Sequence, residues 1–179
     1  MGGSENDPQS YNPFPYVANN PINYADPSGL WTSEGHVNLT NWANNSLGSK
    51  GLDNIQQVIN SNLYSDFWPT QTSKFNFRHY MPGSQGQAAQ FIDDMLQVAV
   101  QKECSGDHPG SLEALGYGLH TLQDYYAHFL TNYTTAQHFP GGPNYDIPSE
   151  NPSNFAQALN STRDYFRSYL NRVKSYCCK

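Results

Sequence analysis

From Ser33 to about Ser46, the apolar positions Val37, Leu39, Trp42 and Ala43 recur at the intervals of a helix face and predict a short amphipathic helix. Leu52, Ile55, Val58 and Ile59 repeat that spacing for a second helix, and Gly48 and Gly51 separate the two. Residues 64 to 86 hold Pro69, Pro82, Gly83 and Gly86 among several aromatics, which reads as an irregular connection. A third helix, about Gln85 to Lys102, gathers Ala88, Phe91, Ile92, Met95, Leu96 and Ala99 on one side. The fourth follows Pro109-Gly110-Ser111 and runs to about Thr131. Pro140-Gly141-Gly142-Pro143, then Pro148 and Pro152, argue against regular structure until a last helix, about Asn154 to Ser175. No segment alternates as a strand would, so the expected class is all-α: a compact bundle of about five helices with long irregular connections.

Composition divides the chain unevenly. Residues 1 to 30 are rich in Pro, Asn and Tyr and poor in helix formers, and Met1-Gly2-Gly3-Ser4 reads as an artificial scar. The 149 residues from Trp31 to Lys179 are enough for one core. That part carries nine basic and twelve acidic residues, a net charge of −3, which disfavours tight duplex binding driven by bulk charge. No apolar run approaches the roughly 18 to 20 residues that span a bilayer, and no secretion signal opens the chain, so delivery is expected to depend on a larger parent protein. Cys104 and the vicinal Cys177-Cys178 form neither a spaced disulfide framework nor a Cys-x-x-Cys site, and are read as bystanders.

The chemistry concentrates on the fourth helix. His120, Asp124 and His128 stand at i, i+4 and i+8, so each is displaced by only about 40° from the last and the three form one stripe roughly 12 Å long. The central carboxylate has two oxygens and can bridge two ions, with an imidazole on either side. Imidazole and carboxylate donors without thiolate suit zinc, and would also accept manganese or iron. His108, in a Gly-Asp-His-Pro-Gly turn, reads as an ordinary surface histidine, and Arg163, Arg167, Arg172 and Lys174 as a solvated helix face.

Two resemblances extend this reading. The stretch from Ser10 through Asn19 and Asn20-Pro21 to Asp26-Pro27-Ser28-Gly29-Leu30 resembles the end of the Rhs repeat-associated core, a β-shell that encloses a variable toxin and cuts itself after the Asp-Pro-x-Gly-Leu signature. The resemblance implies cleavage between Leu30 and Trp31, release of residues 31–179 as a toxin, storage inside the Rhs shell before delivery as a secreted effector into a target cell, and a cognate immunity protein.

The second resemblance joins Trp31 and His36, in Trp-Thr-Ser-Glu-Gly-His, to the His120-x-x-x-Asp124-x-x-x-His128 stripe. Together they resemble the superfamily of zinc-dependent phospholipase C and the single-strand nucleases, all-helical proteins that hold a zinc cluster. That likeness implies an all-α, zinc-dependent phospholipase C-like fold and two or three zinc ions. Its ligands would be Trp31 (through its freed amine and carbonyl), His36, Asp66, His79, His120, Asp124, His128, His138 and Asp146, with Asp66 and Asp124 at the catalytic centre. The implied reaction is phosphodiester hydrolysis by water activated between ions. Phospholipid is the favoured substrate on the Asp-x-x-Ala-His ending, the low positive charge and the many Tyr and Trp residues. Single-stranded nucleic acid is the alternative, because exposed aromatics stack bases. A non-catalytic payload that binds metal or perturbs membranes is the second alternative.

Overall fold

The computed structural model describes residues 33–66, 73–129 and 152–177. Among them are five α-helices: α1 (Ser33–Asn45), α2 (Ile55–Tyr64), α3 (Gln85–Cys104), α4 (His108–Asp124) and α5 (Pro152–Cys177), with no strand. Short 3-10 turns occupy Gly48–Lys50 and Ser73–His79. The all-α class and the five helices expected from periodicity are those observed. Nothing in the arrangement by itself identifies the phospholipase C-like superfamily.

Helix α4 is the axis of the molecule, with α2, α3 and α5 packed around it, while α1 lies against α2 and α5. Its start is set locally: the Asp107 carboxylate accepts from the Gly110 N–H at 3.1 Å and Pro109 occupies the first turn, where its missing N–H costs nothing. Leu112, Leu115 and Leu119 of α4 meet Val58 of α2, Leu96 and Ala99 of α3, and Phe166 of α5 in the main core. Burying one such side chain contributes roughly 1.5–3 kcal/mol relative to leaving it exposed.

Two glycines on α4 let its neighbours approach closely. A Cβ on Gly116 would stand 2.5 Å from the Val58 carbonyl oxygen and 2.7 Å from Ser61 Cβ, so α2 could not lie where it does against any other residue. A Cβ on Gly118 would collide with the Tyr165 hydroxyl of α5 in the same way.

Three expectations need correction. The cysteines are not bystanders, because Cys104 and Cys177 form a disulfide with a Cα–Cα distance of 4.7 Å. Both stand at the last residue of their helices, so the bridge ties the end of α3 to the end of α5 across 73 positions of sequence, a constraint worth about 4 kcal/mol in a chain-entropy account. The connection from 64 to 86 is not wholly irregular, since Ser73–His79 is 3-10 helical. The fourth helix does not run as an unbroken α-helix to Thr131: α geometry ends at Asp124 and the chain continues as a π turn over Tyr125–Phe129.

A smaller difference concerns α1. Its buried face is Gly35, His36, Leu39, Thr40 and Ala43, and Trp42 is left half-exposed, edge-on to Phe155. Hydrophobic spacing pointed the helix through Trp42, whereas the fold turns it to bury a histidine and a threonine.

Candidate metal centre

Four separate pieces of backbone bring five of the expected donors together. His120 and Asp124 come from successive turns of α4, and His36 from the first turns of α1. Asp66 sits in the turn that closes α2, where Ser65 N–H bonds to the Asn62 carbonyl and Asp66 N–H to that of Leu63, both at 3.1 Å. His79 is the last residue of the 3-10 turn, pinned beside α4 by Thr121, whose hydroxyl donates to the Arg78 carbonyl at 2.6 Å. The chain leaves that turn through Tyr80 at a φ of 49°, a left-handed conformation that costs about 1 kcal/mol or more for a non-glycine residue.

The side chains converge out of water. His36 and Asp124 are buried with His79 and His120, and Asp66 is nearly so. His120 Nε2 lies 3.0 Å from Asp124 Oδ2, 3.4 Å from Asp66 Oδ1 and 3.1 Å from His79 Nδ1. His79 Nδ1 lies 3.3 Å from Asp124 Oδ2 and 3.9 Å from Asp66 Oδ1. On the far side of the carboxylate, His36 Nε2 stands 3.3 Å from Asp124 Oδ1.

These spacings fit a cation. Donors at about 2.0–2.2 Å from a tetrahedral ion are roughly 3.3–3.5 Å from one another. The five distances linking Asp66 Oδ1, His79 Nδ1, His120 Nε2 and Asp124 Oδ2 scatter around that edge length. A second observation agrees: His36 Nε2 and Asp124 Oδ1 are fully buried and face each other without a hydrogen bond, an arrangement that a shared ion would satisfy. His36, His120 and Asp124 form one group able to hold a metal ion, and Asp66, His79 and His120 a second.

Electrostatics favour the ligand forms of these groups. Burial pulls the His120 imidazole down to about 4, against the pull of the Asp124 carboxylate and with that of His36 and His79, so the ring is neutral at pH 7. Burial works to raise the Asp124 carboxyl, but the neighbouring His120 ring, with His36 and His79 close by, outweighs it and holds the group well below the ordinary range. A buried carboxylate beside the uncharged His120 imidazole is the environment a divalent cation completes.

A layer of uncharged polar residues backs this face, and sequence reasoning had no view of it. Gln123 Oε1 accepts from His36 Nδ1 at 2.6 Å, and Asn62 Oδ1 accepts from His120 Nδ1 at 3.1 Å. Thr40 and Thr162 bond to the Gln123 amide from the other side. The one available signal was the position of Gln123 and Thr40 on helices that also carry ligands.

Leu30, Trp31, His138 and Asp146 lie outside the described residues, as does the side chain of His128, whose backbone belongs to the π turn. His108 is a partly exposed link between Asp53 at 3.3 Å and Glu103 at 2.8 Å, away from the cluster. Among the described residues no helix is long and apolar enough to cross a membrane. Comparison with known protein families, with characterised proteins and with solved structures gives no match.

Proposed function

We propose that residues 31–179 are a toxin released from an Rhs-type shell, and that the cluster is a zinc centre for hydrolysing phosphodiester bonds, with membrane phospholipid as the substrate. The observation that carries this reading is the meeting of five His and Asp donors, from four segments, at the spacing of a metal's coordination edges.

Bound divalent ions would supply Lewis acidity toward a phosphoryl oxygen and acidity to an adjacent water. The chain's residues have distinct parts. Asp66, His79 and His120 give three donors on one side, and Asp124 presents one oxygen to them and the other to His36, so a single carboxylate links two neighbouring positions. Burial keeps His120 uncharged, which leaves its ring nitrogen free to donate at neutral pH. Trp31, once freed at its amine, would add donors beside His36, and His128, His138 and Asp146 would serve a third ion.

Lipid is favoured over nucleic acid because the payload has a net charge of −3 and because Trp42 and Tyr64 keep about half their surface in water, as interface-seeking aromatics do. The shell and a cognate immunity protein are the partners this reading requires. A specific observation favours a second reading: Asp66, His79, His120 and Asp124 already make a four-donor set, and closed four-ligand sites are the usual form of structural zinc.

The test is Asp124→Asn in a chain beginning at Trp31, loaded with Zn²⁺ and incubated separately with phosphatidylcholine vesicles and with single-stranded DNA. Headgroup release from vesicles is expected to fall by about 10³-fold in the variant, the equivalent of several kcal/mol of lost charge stabilisation. DNA cleavage without lipid hydrolysis would replace the substrate. Zinc uptake with neither activity, and toxicity that survives Asp124→Asn, would establish the structural reading.

A further inference from the structure

We propose that Thr40, acting through Asn62 and Gln123, locks His36 and His120 in the tautomer that leaves Nε2 of each ring without a proton. The proposal rests on the cluster being a metal centre, but it concerns the metal-free chain and can be tested there.

A hydroxyl has one hydrogen, and Thr40 spends it on the carbonyl of His36, one turn earlier in α1, at 2.7 Å. Toward the protein interior its oxygen can therefore only accept. The two atoms that face it are Gln123 Nε2 at 3.4 Å and Asn62 Nδ2 at 3.5 Å, which fixes the direction of both amides. Thr162 Oγ1, 3.2 Å from Gln123 Nε2, is served by the same orientation. Asn62 Nδ2 also donates to Gln123 Oε1 at 2.9 Å, so neither amide can reverse without breaking its bond to the other.

The consequence is transmitted to the rings. With the amides so directed, Gln123 Oε1 meets His36 Nδ1 at 2.6 Å and Asn62 Oδ1 meets His120 Nδ1 at 3.1 Å. An amide oxygen carries no hydrogen, so each Nδ1 must carry one. A neutral imidazole has a single N–H, which leaves a lone pair on Nε2. Those are the atoms turned toward Asp124, at 3.3 Å from His36 and 3.0 Å from His120. The alternative tautomer would place N–H bonds where an ion must sit. One helix-borne hydroxyl, 22 and 83 positions away from the amides it directs, thus prepares two ligands at once. His79 is outside this device, since it offers Nδ1 rather than Nε2 to the cluster.

Thr40, Asn62 and Gln123 are positioning residues, and removing such partners typically costs 10- to 100-fold in metal affinity. The experiment uses the full chain, ¹⁵N-labelled and metal-free at pH 7.5, with long-range ¹H–¹⁵N correlation to read which nitrogen of each ring is protonated, followed by titration with Zn²⁺. In the wild type, His36 and His120 should both show the Nδ1–H form. Thr40→Val, which keeps the shape and removes the hydroxyl, should give mixed tautomers on both rings and Zn²⁺ binding weakened 10- to 100-fold, and Thr40→Ser should restore both. An Nε2–H form on either ring of the wild-type chain overturns the proposal without recourse to any variant. So does a Thr40→Val chain with unchanged tautomers and unchanged affinity. A wild-type chain that shows both Nδ1–H forms and takes up no Zn²⁺ supports the lock and refutes the metal centre.

Discussion

His120 carries the conflict on which the site depends. It is wholly buried, it touches a carboxylate, and yet burial prevails, so it refuses a proton until about pH 4. In the unfolded chain the same ring takes up a proton below about 6.5. Its contribution to stability is therefore complete above pH 6.5 and is lost as the pH falls toward 4, by about 3 kcal/mol in all. The urea midpoint of the chelator-treated protein should hold steady between pH 8 and 7 and drop steadily between 6.5 and 4.5. A midpoint that is flat across the lower interval would show that the ring is not held neutral. At this scale the sequence was informative about donors, because His and Asp at helical spacing have few other uses together. It was silent on Thr40, Asn62, Gln123 and Thr162, whose neutral side chains are common on any helix surface and acquire meaning only from the neighbours that folding brings to them.

Elements place those residues. Helix α2 can hand Asn62 to His120 only because Gly116 has no side chain to keep α2 at a distance. Gly116→Ala should force α2 outward at a cost of about 1–3 kcal/mol, typical of overpacking, and should weaken Zn²⁺ binding because the Asn62 contact goes with it. Denaturant unfolding and metal titration of the same variant check both halves, and a stable Gly116→Ala chain with normal affinity would show that the close approach is slack. Helix limits were readable from apolar spacing and from Gly and Pro, to within a few residues, at α1, α3 and α5, but not at the end of α4. Two features escaped that reading for the same physical reason. The π turn after Asp124 is a change of winding with no composition of its own, and the inward face of α1 is decided by His36 and Thr40 hydrogen bonding, against the pull of Trp42.

For the whole molecule, the His and Asp groups that could hold a metal are drawn from parts far apart in the chain, so they meet only when α1, the end of α2, the 3-10 turn and α4 are all in place. His36 lies only five positions after Trp31, at the junction where the Rhs-like segment is expected to be cut. A chain starting at Trp31 should retain more zinc per molecule after dialysis than one that keeps residues 1–30, because an amide nitrogen at Trp31 cannot serve as the free amine does. Elemental analysis of the two preparations decides the matter, and equal zinc with equal activity would remove the cut from the mechanism.

The sulfur bridge between Cys104 and Cys177 closes a ring of main chain that contains all of α4 and nearly all of α5. A protease that nicks this ring once, anywhere between the two cysteines, leaves a molecule in two pieces that still travel as one. Such a nicked protein should keep its full mass on a non-reducing gel and fall apart into two bands only when a thiol is added.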